Sequence, residues 1–358
     1  MRFRTESSPH IIPRHSVGGV MRQVLLALVP GTLAMTWFFG WGVLVNVVLA
    51  VLFAVALEAT MVALRRRPVM ATLSDNSAIV AAWLFALAVP PLTPVWVTLI
   101  GIAFAIIVAK HLYGGLGYNP FNPAMVGYVV VLISFPREMA LWPAPETLPQ
   151  MPLGLWQTLQ TVLTGSLPAG MDWDAITRAT PLDAVREGLV SGRTVSELTR
   201  SPVFGTFSET GWEWVGNFFL LGGLYLLFRR IIGWQIPLAV ILGVAVPAGF
   251  FWMLDPDQFA SPAFHVFSGA VILGAFFIAT DPVSASTTPL GRLFYGAGIG
   301  LLIFVIRTWG GYPDAVAFAV LLMNMVAPTL DHLTRPRVYG HPRGGGPPPG
   351  DGPRTPNA

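Results

Sequence analysis

Ser77-Ala-Ile-Val-Ala-Ala-Trp-Leu-Phe-Ala-Leu-Ala-Val-Pro-Pro91 is echoed later in the chain by Ser268-Gly-Ala-Val-Ile-Leu-Gly-Ala-Phe-Phe-Ile-Ala-Thr-Asp-Pro282. Each stretch runs on through another apolar segment to a glycine pair, Gly114-Gly115 or Gly310-Gly311. Each pair is followed by a tyrosine, Tyr118 or Tyr312, and a further apolar run. The shared order of features marks an internal repeat. Working outward, a membrane-spanning helix needs roughly 20 apolar residues. The chain offers ten such candidates: 24–39, 41–64, 73–89, 95–111, 124–135, 213–228, 235–254, 262–280, 290–308 and 314–330. The repeat pairs the third with the eighth, the fourth with the ninth and the fifth with the tenth. Members separated by five crossings point in opposite directions, which is the inverted-repeat architecture of transporters. The expected fold is therefore all-α and polytopic, with about ten transmembrane helices in two inverted five-helix repeats. Segment 124–135 is short and bounded by prolines, so it reads as a half-helix.

Composition agrees. Of 358 residues, 54% are hydrophobic and 11% charged, with a mean hydropathy of +0.63. A soluble domain carries about 25% charged residues, so this chain belongs in a bilayer. Residues 1–22 are basic and polar and lack the apolar core of a cleavable signal peptide. The chain has no cysteine, which excludes a disulfide and a thiolate-held iron–sulfur cluster on it. No phosphate-binding loop, dinucleotide fingerprint or zinc pattern is present. The net charge of +3 reflects topology rather than nucleic-acid binding.

Basic residues orient the chain, because cytoplasmic loops carry an excess of Lys and Arg. Arg2, Arg4, Arg14 and Arg22, then Arg65-Arg66-Arg67, Lys110, Arg229-Arg230, Arg335 and Arg337 all fall on one side. Both termini are expected in the cytoplasm of a bacterial cell, with the chain in its inner membrane. Arg307 falls at the outer end of the ninth span and is expected to snorkel to the interface. The organisation is then a cytoplasmic N-terminus (1–22), a first membrane repeat (23–136), an extracytoplasmic loop subdomain (137–212), a second repeat (213–332) and a cytoplasmic tail (333–358). The tail is rich in Gly and Pro and reads as disordered.

Several polar residues stand out. Asn119-Pro-Phe-Asn122-Pro forces an extended path, and its amides either grip a polar ring edge or cap helices. Glu58 lies inside the second span, where an acid is costly and often functional; it serves an ion path or pairs with the nearby arginines. Asp75 and Asp281 sit at near-equivalent ends of the repeats and either line a cation path or cap helices. His111 and His265 lie at opposite faces, so one haem cannot take both. In the polar loop, Asp174-Ala-Ile-Thr177-Arg178-Ala179-Thr180-Pro-Leu-Asp183 ends in a helix start: Thr180 as N-cap, Pro181 as first helical residue, Asp183 as first-turn acid.

That loop segment resembles the Asp-x-x-(Ser/Thr)-x-Ala-Thr motif at which a flavin transferase attaches FMN to a threonine. Arg178 stands where many such motifs have glycine. With Gly114-Gly-Leu-Gly-Tyr-Asn-Pro-Phe-Asn-Pro-Ala124 and Ile278-Ala-Thr-Asp-Pro-Val-Ser-Ala285, it makes residues 15–340 similar to the RnfD/NqrB family. The resemblance implies a membrane flavoprotein subunit of a redox-driven Na+ or H+ pump, relaying electrons between NADH and ferredoxin. It implies covalent FMN on Thr180, with Asp174, Thr177, Arg178 and Ala179 as the recognition motif. It further implies non-covalent riboflavin near Asn119 and Asn122, and partners that carry a second extracytoplasmic FMN, iron–sulfur clusters and the NAD site. The subunit would be part of an oxidoreductase without catalysing a reaction alone. The rival readings are an inverted-repeat channel or permease for a small solute, and a scaffold without cofactor; neither needs a flavinylated threonine.

Overall fold

The structure, a computed structural model, describes residues 16–145, 153–200, 204, 211–312 and 314–336. The expectations for Arg2, Arg4, Arg14, Arg337 and the Gly/Pro-rich tail lie outside those residues. Among the described residues the chain is helical and has no strand; one isolated antiparallel bridge joins Pro143 and Thr177. The principal helices are α1 (Val17–Phe39), α2 (Gly42–Leu64), α3 (Ser77–Ala88), α4 (Val95–His111), α5 (Pro123–Ser134) and α6 (Pro181–Val190). They continue with α7 (Trp212–Phe228), α8 (Gln235–Leu254), α9 (Pro262–Phe267), α10 (Val271–Leu273), α11 (Pro289–Trp309) and α12 (Val316–Leu333). Of these, α1, α2, α8, α11 and α12, with 18–23 residues each, are long and apolar enough to cross a membrane. The protein is thus an all-α polytopic membrane protein. The other expected crossings are shorter or broken.

Local chemistry sets the breaks. Ser16 caps α1 through its side chain, and Gly40, at φ +82°, ends it. Asn76, at φ +60°, separates α3 from the short helix Val69–Leu73, so the segment expected at 73–89 is continuous helix only from Ser77 to Ala88. The segment expected as one span over 262–280 is interrupted as well. It comprises α9, a turn with Gly269 at φ +66°, α10 and then the π-helix Gly274–Ile278. A side chain at Gly269 would stand 2.7–2.8 Å from Asp314, Arg307 and Leu182, so glycine is required there both by conformation and by space. The second half of α4, Phe104–His111, is also π-helical.

The inverted relation of the repeats is visible in the direction of paired helices. Two cavities lie between the repeats. Early residues of α1 (Val20, Met21) line the first and Met35 lines the second; in α7 the order is reversed, Val215 and Gly216 lining the second and Leu226 the first. The same reversal relates α3 to the 269–282 segment. α2 packs on α4 as α8 packs on α11, and α1 packs along α7 across the repeat boundary. Small residues permit the close crossings. Gly300 faces the Val240 carbonyl and Gly243, and Gly296 faces Ile236 and Ala239.

Gly222 of α7 lies against the main chain of α1, where an added Cβ would come within 2.0 Å of the Ala27 carbonyl oxygen. Gly222→Ala must push the two repeats apart. It is expected to cost about 1–3 kcal/mol, the usual penalty of overpacking. Gly216→Ala, with 3.7 Å to its nearest neighbour, serves as the near-neutral control in the same helix. Thermal unfolding of both variants in detergent checks this.

Candidate functional site

Thr180 stands at the head of α6 as the sequence suggests. Its hydroxyl accepts the Asp183 backbone N–H at 3.3 Å and donates to the Asp183 carboxylate at 2.6 Å, with Pro181 in the first turn. The preceding motif residues are held by main-chain bonds. Arg178 N–H donates to the Trp142 carbonyl and Ala144 N–H to the Ile176 carbonyl. Thr177 turns its hydroxyl back to the Trp173 carbonyl at 2.8 Å. Asp174, Arg178 and Ala179 are exposed, whereas Thr180 is half-buried. The loop is docked at two places. Trp142, Trp212 and Phe39 form one aromatic cluster, with the two indole rings 5.1 Å apart. Leu182 and Val185 of α6 share a small core with Val195, Ala260 and Phe264.

Behind Thr180 opens a cavity of about 290 Å³ at the repeat interface. Aromatic and apolar side chains dominate its wall, among them Tyr128, Trp142, Trp212 and Phe219, with Thr180, Asp183 and Asp314 as its polar members. A narrower cavity of about 110 Å³ lies nearer the opposite end of the bundle, bounded by Ser77, Lys110, Asn119, Phe276, Phe277 and Asp281. Leu84 of α3 faces the narrow cavity and Leu87 the wide one. At 1.5 Å per residue, about one helical turn separates the cavities along that helix. Phe277 and Phe219, one from each wall, pack edge to face with centroids 6.2 Å apart.

The sequence candidates divide between these places. Asn119 and Asn122 both reach the narrow cavity, but they are used differently. Asn122 caps α5 through Met125 N–H and donates its amide to the Ile278 carbonyl at 3.2 Å; its own backbone N–H goes to Asn324. Asn119 donates to the Phe121 carbonyl, and its buried Oδ1 has no partner. Asp281 lines the cavity while accepting the Ser284 hydroxyl at 2.6 Å. Asp75 stands one residue behind, accepting the Ser77 N–H and hydroxyl. Glu58 is fully buried and pairs with Lys110, not with the arginine cluster; both its oxygens accept from the ammonium at 2.6 and 2.7 Å. Lys110 is brought there by the π turn, which the sequence pattern does not reveal.

Sequence reading also passes over Asn324. Its amide donates to Tyr295 at 2.7 Å and to the Ser284 carbonyl, while its oxygen accepts from Asn122. It ties the 119–123 break of one repeat to the 281–286 break of the other. Its only signal is a lone amide in an apolar run.

Arg307 corrects an expectation. It does not snorkel to the interface: its side chain is 2% exposed and pairs with Asp314 at 3.0 Å. It also donates to the His265 and Ser268 carbonyls, the acceptors freed by the break in the 262–280 segment. An arginine fork fits several acceptors at once, as an ammonium does not. Arg307→Met is expected to cost about 3–5 kcal/mol, as for breaking a buried pair, and Arg307→Lys is expected to recover less than half. Thermal unfolding of the two variants tests this.

Comparison with known proteins places the chain in a described family. The chain belongs to the NQR2, RnfD, RnfE family, whose model matches residues 4–340. Among similar proteins is the D subunit of the ion-translocating oxidoreductase complex of Vibrio vulnificus (strain YJ016), 51% identical over 357 residues, covering 95% of this chain and all of that one. The D subunit of the same complex from Vibrio cholerae serotype O1 (strain ATCC 39541 / Classical Ogawa 395 / O395) is 52% identical over 348 residues, with 95% and 100% covered. That of Yersinia enterocolitica serotype O:8 / biotype 1B (strain NCTC 13174 / 8081) is 50% identical over 346 residues, with 94% and 98% covered.

Proposed function

We propose that the chain is the membrane-embedded subunit of an ion-translocating oxidoreductase complex of the Rnf type, that it carries FMN on Thr180, and that its complex moves Na+ or H+ as electrons pass between NADH and ferredoxin. The names of the relatives support the complex. The observation that carries the flavin is the placement of Thr180: a half-buried hydroxyl at the mouth of an aromatic-walled cavity, beside an exposed recognition face. The residues fit the group. A flat apolar ring has aromatic walls to lie against, and Thr180 is the covalent anchor. An anion there sits at the N-terminal end of α6, where the Asp183 N–H points at the Thr180 oxygen. Bound FMN supplies one- and two-electron exchange. The chain's own residues hold Thr180, exclude water with Trp142, Trp212 and Phe219, and place carboxylates at the rim.

The narrow cavity supports non-covalent riboflavin less well. The free Asn119 Oδ1 suits the polar edge of a ring, but about 110 Å³ does not hold the whole of one. The partners are the remaining subunits of the complex, with the second FMN, the iron–sulfur clusters and the NAD site, and the flavin transferase. Arg65, Arg229 and Arg230 lie near the narrow-cavity end, which supports cytoplasmic termini and an extracytoplasmic 137–212 loop in a bacterial inner membrane.

The chain expressed with its transferase is expected to fluoresce under ultraviolet light after denaturing electrophoresis, and Thr180→Val is expected to remove the band. A dark wild-type band, beside a flavinylated control from the same cells, would move the permease reading to first place. For the ion path, Glu58, Asp75 and Asp281 are replaced singly, and ions moved per electron are measured in vesicles bearing the whole complex. At least one replacement is expected to lower that ratio; three unchanged ratios would remove these acids from the path.

A further inference from the structure

Beside the narrow cavity lies a group of charges whose hydrogen bonds do not close. Lys110 is 2% exposed and spends all three N–H bonds, two on Glu58 and one on the Ser77 hydroxyl at 2.7 Å. The Ser77 hydroxyl in turn donates to Asp75. His111, 3% exposed, sits with Nε2 3.5 Å from Glu58 Oε1, and neither of its ring nitrogens has a hydrogen-bond partner. A buried imidazole with no hydrogen bond at either nitrogen and one long ion-pair approach is rare and calls for a cause. The other groups facing it are few. From α2 come Glu58 and Arg65, whose guanidinium donates to the His111 carbonyl oxygen. The α-helical part of α4, Val95–Ala103, has no charged residue, and α5 has only Tyr128, which faces the other cavity.

We infer that His111, Glu58 and Lys110 form a proton-binding site at the Asn119 end of the repeat interface, its open valence being a ring nitrogen of His111. The chemistry selects the proton over a metal cation. Hard cations are held by several oxygens, and here both Glu58 oxygens and the Ser77 oxygen already accept from the Lys110 ammonium. What is left is an imidazole ring, with one nitrogen free to take a proton, beside a carboxylate. A proton there turns the 3.5 Å approach into a charge-assisted bond and makes Glu58 the shared acceptor of two cations. Ser77 and Asp75 continue the bonded chain from Lys110 to the half-exposed turn ahead of α3, so the proton has a polar route from that end. When a proton binds, one N–H bond forms at His111 and one O–H bond breaks at the donor, water or hydronium; no electron moves. This assignment rests on the ion-translocation reading and deepens it by naming the ion this acid holds, and it is independent of the flavin.

The test uses the full chain in detergent, labelled with 15N-histidine, with His111→Asn to identify the His111 signals. The spectra are followed from about pH 5 to about pH 9, where imidazole shifts report protonation. The proton-dependent change in the His111 signals is expected to be the same in low and high NaCl at ionic strength fixed by choline chloride. In Glu58→Gln with Lys110→Met the pair is replaced without an unpaired buried charge, and the proton affinity of His111 is expected to fall, because the carboxylate 3.5 Å from its ring is lost. A His111 signal that does not titrate, or a midpoint unchanged in the double variant, overturns the site. A midpoint that falls with added sodium overturns the choice of ion. In-gel fluorescence at Thr180 is read on the same preparations, so failure of the flavin reading is seen separately.

Discussion

A helix interrupted inside a bilayer exposes carbonyls and N–H groups that lipid cannot satisfy, each costing several kcal/mol if left alone. This protein is full of interruptions, and placed polar side chains close them. Asn46 of α2 donates to the carbonyls of Pro90 and Pro91 at the end of α3. Arg307 takes the two carbonyls of the 265–268 break, and Asp314 takes the Ala270 N–H across it. Asn324 and Asn122 close the crossing of the two cavity-side breaks. Asp331 gathers the N–H groups of Thr287 and Thr288 ahead of α11. Because the breaks are satisfied internally, the chain can stop short of a full crossing there, and the space left between the repeats is the two cavities.

The same constraint explains what the sequence can and cannot reveal. Long apolar runs are local facts, so α2, α8 and α11 fall where hydropathy places them, while α1 starts at Val17, ahead of the apolar run expected from residue 24, and the cap at Thr180-Pro181 is written in adjacent residues. The break at Ser268-Gly269 escapes notice because every residue around it is apolar or small. Arg307 and Asp314, far along the chain, make it tolerable. Arg307 itself is misread for the same reason: an arginine near a span end looks like an interfacial anchor until the carbonyls it serves are known. Glu58 stands out as an acid in need of a partner, but the neighbouring arginines are close in sequence, whereas Lys110 is delivered by a π turn with no signature in composition.

The two ends of the interface differ electrostatically. Around the narrow cavity Glu58 and Lys110 form a tight pair, and Asp281 lines the wall with a serine hydroxyl as its partner, so an added unit charge is felt strongly in low dielectric. Around Thr180 the wall is aromatic, and its carboxylates, Asp183 and Asp314, are each tied down, one by the Thr180 hydroxyl and the other by Arg307. Redistribution of charge at either end has few mobile counter-charges to absorb it. An inverted repeat built this way can convert a local charge change into a preference for one packing over another.

On the proposed function, the helix cap at Thr180 and its modification would be one geometry read at two times. Before attachment the hydroxyl both accepts from the Asp183 N–H and donates to the Asp183 carboxylate. A phosphoester oxygen can still accept but has no proton to donate, and it brings a negative charge beside an acid. With the proposed FMN in place the carboxylate would turn away, while the Asp183 N–H would face a charged acceptor stronger than the hydroxyl. Capping would pass to the phosphoryl oxygens, and Asp183 would change from partner to neighbour of like charge. The capping and the flavin readings of Thr-Pro-x-Asp therefore do not compete: the features that start the helix are those that would receive the anion.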